Sequence, residues 1–202
     1  MRCGRRIDEH AVMTVLLSLA LVAVFIAEIA LGAAGNERAL VPLGALITRG
    51  WSSTDWWRVF TFSFLHLNWL HLALNTAGLL WLGRFVERRA GRRPVLIVFS
   101  GSGVASGVAG MLLGPFLPTT GVAVGASGAI CGLLAVAVVM AFHRDGDRGP
   151  RAALLICLVV IAGTSLLPGV SLAGHLGGLG GGATLALTRV IRTGAARSVD
   201  PG

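Results

Sequence analysis

The sequence predicts an all-α fold, a polytopic membrane helical bundle of six transmembrane helices. Three observations carry this expectation: the composition, the recurrence of span-length apolar runs, and the way arginines alternate between them. Of the 202 residues, 54% are hydrophobic and 13% charged, and the mean hydropathy is +0.79. A soluble domain of this size is about one-quarter charged. A helix crosses roughly 30 Å of hydrocarbon with about 20 apolar residues, and runs approaching that length recur along the chain. The 29 glycines suit helices that approach closely in lipid, where small residues form the interfaces.

The formal charge of +8 is carried by arginine alone. In a soluble protein such a charge suggests nucleic acid. Here the arginines sit in short loops between apolar runs, where topology and contact with membrane lipids account for them, so no nucleic-acid partner is expected. Cys3, Cys131 and Cys157 have neither a disulfide framework nor metal-ligand spacing, and no metal or cofactor is implied. The first apolar run lacks a convincing small-residue cleavage site and reads as a span.

Residues 1–10 read as a polar, cytoplasmic N-terminal tail. The membrane domain is expected over 11–191 and a cytoplasmic C-terminal tail over 192–202. The first span covers 11–31 and contains one acid, Glu28, expected near interfacial depth with a structural or solvated role. Residues 32–62 hold Pro42, Gly44, Gly50 and the Asn36-Glu37 turn material, which argue against one long helix. With Trp51, Trp56 and Trp57 they suggest an outer-leaflet, interfacial loop of short amphipathic pieces. The second span is expected over 63–82, the third over 94–113 with Gly101, Gly103, Gly107 and Gly110 thinning one side. The fourth covers 125–142, the fifth 152–167 before the Pro168-Gly169 turn, and the sixth 172–187.

Arginines supply the orientation. The N-terminal tail has Arg2, Arg5 and Arg6. The loop after span two has Arg84, Arg88, Arg89, Arg92 and Arg93, and that after span four has Arg144, Arg148 and Arg151. The C-terminal tail has Arg189, Arg192 and Arg197, whereas the loops after spans three and five have none. The positive-inside rule then puts both termini in the cytoplasm of a multi-pass cell-membrane protein. Spans two, four and six run from outside to inside, so their opening residues share the outer half of the membrane.

Those openings hold the unusual polar groups. His66, His71 and Asn75 open span two, Ser127 opens span four, and His175 opens span six. A serine becomes a nucleophile when a base takes its proton, and histidine is the commonest base. Gly128 and Gly132 at i and i+4 on span four, and Gly178 and Gly182 at i+3 and i+7 from His175, make small faces on which two helices pack closely enough for serine and histidine to meet. No acid lies near either residue in the outer half, which favours a Ser127–His175 dyad whose imidazole is oriented by packing or by another hydrogen bond. Acyl transfer also needs donors for the developing oxyanion. His71 and Asn75, at i and i+4 on one face, qualify, as does the Ser127 backbone N–H at a helix start. His66 reads as a loop-anchoring residue. The soluble G-x-S-x-G elbow is absent, because Ala129 takes the second glycine position.

Together these residues resemble the rhomboid family of intramembrane serine proteases, in its minimal six-span bacterial form. The resemblance spans roughly residues 40–190 and rests on Trp57-Arg58, on HLNWLHLALN from His66 to Asn75, on GASG from Gly125 to Gly128, and on GHLGGLGGG from Gly174. It implies that Ser127 is the nucleophile, that His175 is the base, and that His71 and Asn75 help form the oxyanion hole. It also implies transmembrane protein substrates, an active site opening to the extracellular side, and a Trp57-Arg58 loop lying sideways in the outer leaflet. Two positions depart from the family pattern. Gly174 replaces the usual alanine before the histidine. Cys131 stands four residues after the serine, where an aromatic commonly stacks on the base, and a smaller residue there is expected to hold His175 less firmly. The oligomeric state is not legible. Two alternatives remain: a catalytically inactive relative that binds membrane helices, and a small transporter using Glu28, His66, His71 and Asn75 as a polar path. The latter predicts broken, polar mid-spans, and these mid-spans are glycine-rich and uncharged.

Overall fold

The computed structural model describes residues 11–117, 121–142, 148–167 and 169–188. The expectations for the tails at 1–10 and 192–202, and for Arg2, Arg5, Arg6, Arg144, Arg189, Arg192 and Arg197, lie outside the described residues, as does Pro168.

Among the described residues the regular structure is helical apart from one small ladder. In order the chain forms α1 (Val12–Ala30), α2 (Glu37–Leu40), β1 (Leu46–Ile47), α3 (Arg58–Thr61), α4 (Trp69–Ala90), α5 (Arg92–Leu113), β2 (Val122–Ala123), α6 (Ser127–Phe142), α7 (Arg151–Thr164) and α8 (Leu172–Leu187). Among the described residues two helices are both long and apolar enough to cross a membrane, Val12–Ala30 and Arg92–Phe116. Ser127–Phe142 and Arg151–Thr164 are shorter apolar helices.

Helix α6 is the centre. Ala129, Ile130, Leu133, Leu134, Val136 and Ala137 are all buried, and a helix apolar on every side is one enclosed by others. It packs against α4, α5, α7 and α8, while α1 lies on α4 and α5. The first turn of α1 has no capping side chain of its own. Its exposed donors are instead taken by Glu87 near the end of α4, whose carboxylate accepts Met13 N at 2.9 Å, Thr14 N at 2.8 Å and Thr14 Oγ1 at 2.6 Å. An anion at a helix start satisfies both its free N–H groups and its dipole. At the other end of α6 from Ser127, Arg151 donates to Ala141 O at 2.8 Å and ties the start of α7 to the end of α6.

Residues 32–62 form short pieces, α2, β1 and α3, held together by polar contacts. Asn36 caps α2, accepting from Arg38 N and Ala39 N. Arg58 donates to Asp55 at 2.8 Å and to the carbonyls of Ala45 and Val41. The Ser52 backbone N–H, and next the Arg58 guanidinium, hold the Asp55 carboxyl below the usual carboxylate range. Trp51 Nε1 donates to Met111 O, and Arg49 donates to Leu117 O. Gly107 and Gly110 of α5 admit this segment rather than another long helix. A Cβ at Gly107 would stand 2.9 Å from Val59, and one at Gly110 would stand 2.9 Å from Leu46.

The second span differs from its sequence expectation over 63–82. The helix begins at Trp69 and runs through the arginine cluster to Ala90. Asn68, extended, caps it by accepting His71 N at 2.9 Å, so the polar His66–Asn68 stretch is a helix approach rather than a helical turn.

Candidate active site

Two short strands set the geometry. Leu46 pairs with Ala123 and Ile47 with Val122, antiparallel, which fastens the 32–62 segment to the residues just before Ser127. Gly125 N donates to Phe62 O at 2.9 Å, and the chain turns there with φ at +115°. Only glycine takes that conformation readily. A Cβ at Gly125 would also stand 2.6 Å from His71 Cε1 and 3.4 Å from Asn75 Nδ2. Backbone and neighbours both exclude a side chain, and the turn delivers Ser127, half-buried, at the first position of α6.

Helix α8 brings the histidine. Ser171 caps it, accepting Gly174 N at 3.1 Å, and His175 follows in the first turn. Its Nε2 lies 2.9 Å from Ser127 Oγ, across 48 residues of sequence. The approach rests on glycine. A Cβ at Gly182 would collide with the main chain of Gly132, and one at Gly178 with the main chain of Gly128. Over Gly128 and Gly132 from the third side lie the Ser106 and Ser102 side chains of α5. The α6 and α8 backbones therefore touch with nothing between them.

His71 and Asn75, one turn apart on α4, front the Gly125 turn from the opposite side. Asn75 is buried, and among the described residues its Nδ2 has no hydrogen-bond partner. Buried amide donors are ordinarily paired, and this one lies beside the Gly125 turn that precedes Ser127.

Behind them sit His66 and Glu28. The His66 ring meets His71 edge-on, centroids 5.2 Å apart. Its Nδ1 lies 3.1 Å from Phe64 O, which can only accept. Its backbone N–H donates to the Glu28 carboxylate at 3.2 and 3.3 Å. Glu28 is 1% exposed, so of the structural and solvated roles expected for it the structural one fits. It is a structural acceptor near the end of α1 that holds the approach to α4.

Trp57 and Arg58 are not brought to the serine. Arg58 stacks over the Trp57 ring, 4.6 Å from its centroid, and both brace the loop whose strand β1 pairs with β2. Cys131 is buried one turn past Ser127 on α6.

One residue at the site was missed. Ser165, just past the end of α7, places its Oγ 2.7 Å from His175 Nδ1. Sequence offered no signal for it, because a serine at the end of an apolar helix bonding back to its own i−4 carbonyl is commonplace. Only the approach of α7 to α8 reveals the second contact.

The arrangement is a hydroxyl, an imidazole and an amide unpaired among the described residues, converging at one end of a buried helix. Comparison with known proteins places the chain in a family. Residues 53–192 match the Rhomboid domain family model. The rhomboid protease GluP of Bacillus subtilis is 31% identical over 173 residues, 82% of this chain and 32% of GluP. Rhomboid-like protease 3 of Toxoplasma gondii is 31% identical over 152 residues, 74% of this chain and 58% of that protein. The putative rhomboid protease YdcA of Bacillus subtilis is 29% identical over 136 residues, covering 66% of this chain and 67% of its own length. The chain thus spans about a third of GluP and over half of the Toxoplasma protein. With a family model matched over more than half its length, the chain belongs to the rhomboid family of membrane proteins.

Proposed function

We propose that this protein is an intramembrane serine endopeptidase that cleaves peptide bonds in or near transmembrane segments of membrane proteins, with Ser127 as nucleophile and His175 as general base. The 2.9 Å approach of His175 Nε2 to Ser127 Oγ is the observation that carries this reading. In it, Ser127 Oγ forms a bond to the scissile carbonyl carbon as its proton passes to His175 Nε2. The carbonyl π pair moves onto oxygen, where His71, the free Asn75 amide and the Ser127 backbone N–H donate to it. Collapse breaks the C–N bond, and the imidazolium returns its proton to the leaving amine. Water then releases the acyl group by the same steps, with His175 taking the water proton.

The names of the curated relatives and family membership support protease chemistry; a catalytically inactive relative would share the fold. A fluorophosphonate probe on purified protein in detergent separates the two. Labelling of the parent, with none in Ser127→Ala, is the expected result, and an unlabelled parent would favour the inactive reading.

In the same reading α1, α4, α5, α6, α7 and α8 are the six spans, with the membrane domain over 11–191, both termini cytoplasmic and the site opening to the extracellular side. The pairing of helix ends supports it, since the starts of α4, α6 and α8 converge at one end of the bundle and the start of α1 meets the end of α4 at the other. With the native cysteines replaced, Ser53→Cys should label from outside intact cells, and Arg148→Cys only after permeabilisation. The reverse pattern would invert the orientation. Transmembrane substrates and surrounding lipid are the expected partners.

A further inference from the structure

We infer that Ser165 is a positioning residue for the base, fixing which nitrogen of His175 carries the proton. The inference rests on the protease reading for its kinetic consequence, but its structural content stands on proton bookkeeping alone. Ser165 Oγ has one hydrogen and two lone pairs. It lies 2.6 Å from Ile161 O and 2.7 Å from His175 Nδ1. A carbonyl oxygen only accepts, so the Ser165 proton goes to Ile161. Were that proton turned to Nδ1 instead, two acceptor oxygens would face each other at 2.6 Å with no hydrogen between them. Nδ1 is therefore the protonated nitrogen and donates to Ser165.

The rest follows along the chain of bonds. In a neutral imidazole one nitrogen donates and the other accepts. With the proton on Nδ1, Nε2 presents its lone pair to Ser127 Oγ at 2.9 Å, the polarity a general base requires. The opposite tautomer would donate to the serine and leave its proton nowhere to go. Ser165 thus takes the orienting place that a carboxylate fills in a triad, but as a neutral dipole.

The residue caps the end of α7, a helix that is little enclosed. Of the α7 residues only Leu154 is buried, while Leu155, Ile156, Val159 and Val160 are exposed. Ser165 itself is buried. The tautomer of the base, held through α8 to α6, is consequently set by the far end of a helix that otherwise touches the bundle lightly.

The test compares three variants. Ser165→Thr keeps a hydroxyl that can bond the i−4 carbonyl, Ser165→Val has the same shape without it, and Ser165→Ala controls for crowding by the extra methyl. Histidine-selective ¹⁵N NMR in detergent, with the His175 signals assigned by a His175→Gln variant, should show Nδ1 protonated and Nε2 bare in the parent and in Ser165→Thr. Ser165→Val and Ser165→Ala should show a mixture of tautomers. With a transmembrane-segment substrate, both hydroxyl-less variants should lose about ten- to a hundredfold in kcat with little change in KM, and Ser165→Thr should recover most of it. An unchanged tautomer in both hydroxyl-less variants would overturn the inference, as would equal kcat for Thr and Val. If the parent protein cleaves nothing and resists the probe, the protease reading fails, and the NMR comparison still decides the role of Ser165.

Discussion

Ser127→Ala and His175→Ala should each remove nearly all cleavage of a transmembrane substrate, and the double variant should be little worse than either. Residues that act as one unit are not additive, because the second loss removes something already disabled. The 2.9 Å contact makes these two such a unit. Asn75→Ala should behave differently. Its Nδ2 is a donor without a partner among the described residues, and removing one oxyanion donor costs about 2.7–4 kcal/mol, roughly a hundred- to a thousandfold. A measurable remnant of turnover should persist, and probe labelling of Ser127 should survive better than turnover does. His71→Ala should resemble Asn75→Ala. Substantial cleavage by folded Ser127→Ala or His175→Ala, measured by single-turnover kinetics, would move the active centre elsewhere.

The second large effect is expected from Gly178. A Cβ there meets the Gly128 carbonyl carbon at 2.7 Å and its Cα at 3.0 Å. These are backbone atoms, which cannot swing aside as the tip of a side chain can, so α8 as a whole must move away from α6. Overpacking of a tight contact costs about 1–3 kcal/mol, and Gly178→Leu should lower the unfolding temperature in detergent more than Gly178→Ala. Activity should fall further than stability. His175 lies one turn back on the same helix, and a displacement of about 1 Å between reacting groups can cost a hundredfold. Gly180 supplies the control, since a Cβ there would meet nothing within 4 Å. Gly180→Ala should keep both fold and cleavage. Equal behaviour of Gly178→Ala and Gly180→Ala would mean that the α6–α8 contact is looser than the geometry implies.

The parts of the site legible in the sequence were those written as helical spacing plus direction. His175, Gly178 and Gly182 share a face by count, Gly128 and Gly132 do likewise, and span direction alone brought Ser127, His175, His71 and Asn75 to one end. Contacts made by a single group between distant segments have no such spacing. Ser165 reaches His175 through one oxygen, Glu28 reaches His66 through a backbone N–H, and β1 and β2 are two residues each, too short for alternation to be read. Cys131 shows the practical difference. Its small size suggested a loosely held base, and the structure adds a contact the sequence did not offer, Ser165 to His175. The arginines of the 32–62 segment had no place in the alternation. Arg49 and Arg58 prove to be spent on backbone carbonyls, which is a fold role rather than a topological one. The start of α4 was misjudged for a local reason, because His66–Asn68 is as compatible with a helical turn as with the extended cap that Asn68 forms.

The β1–β2 ladder also bears on the order in which this molecule comes together. Its paired residues stand about 75 positions apart in the chain, and closing a loop of that length costs chain entropy that two residue pairs recover only once the surrounding helices have docked. Helices form from local bonds within about a microsecond, whereas long-range pairing is slow. The Gly125 turn leans on that late closure through Phe62 O, and the partner of Ser127 waits on α8. Helix formation is therefore expected to precede closure of the ladder and docking of α8, which places the Ser127–His175 contact among the last to be made.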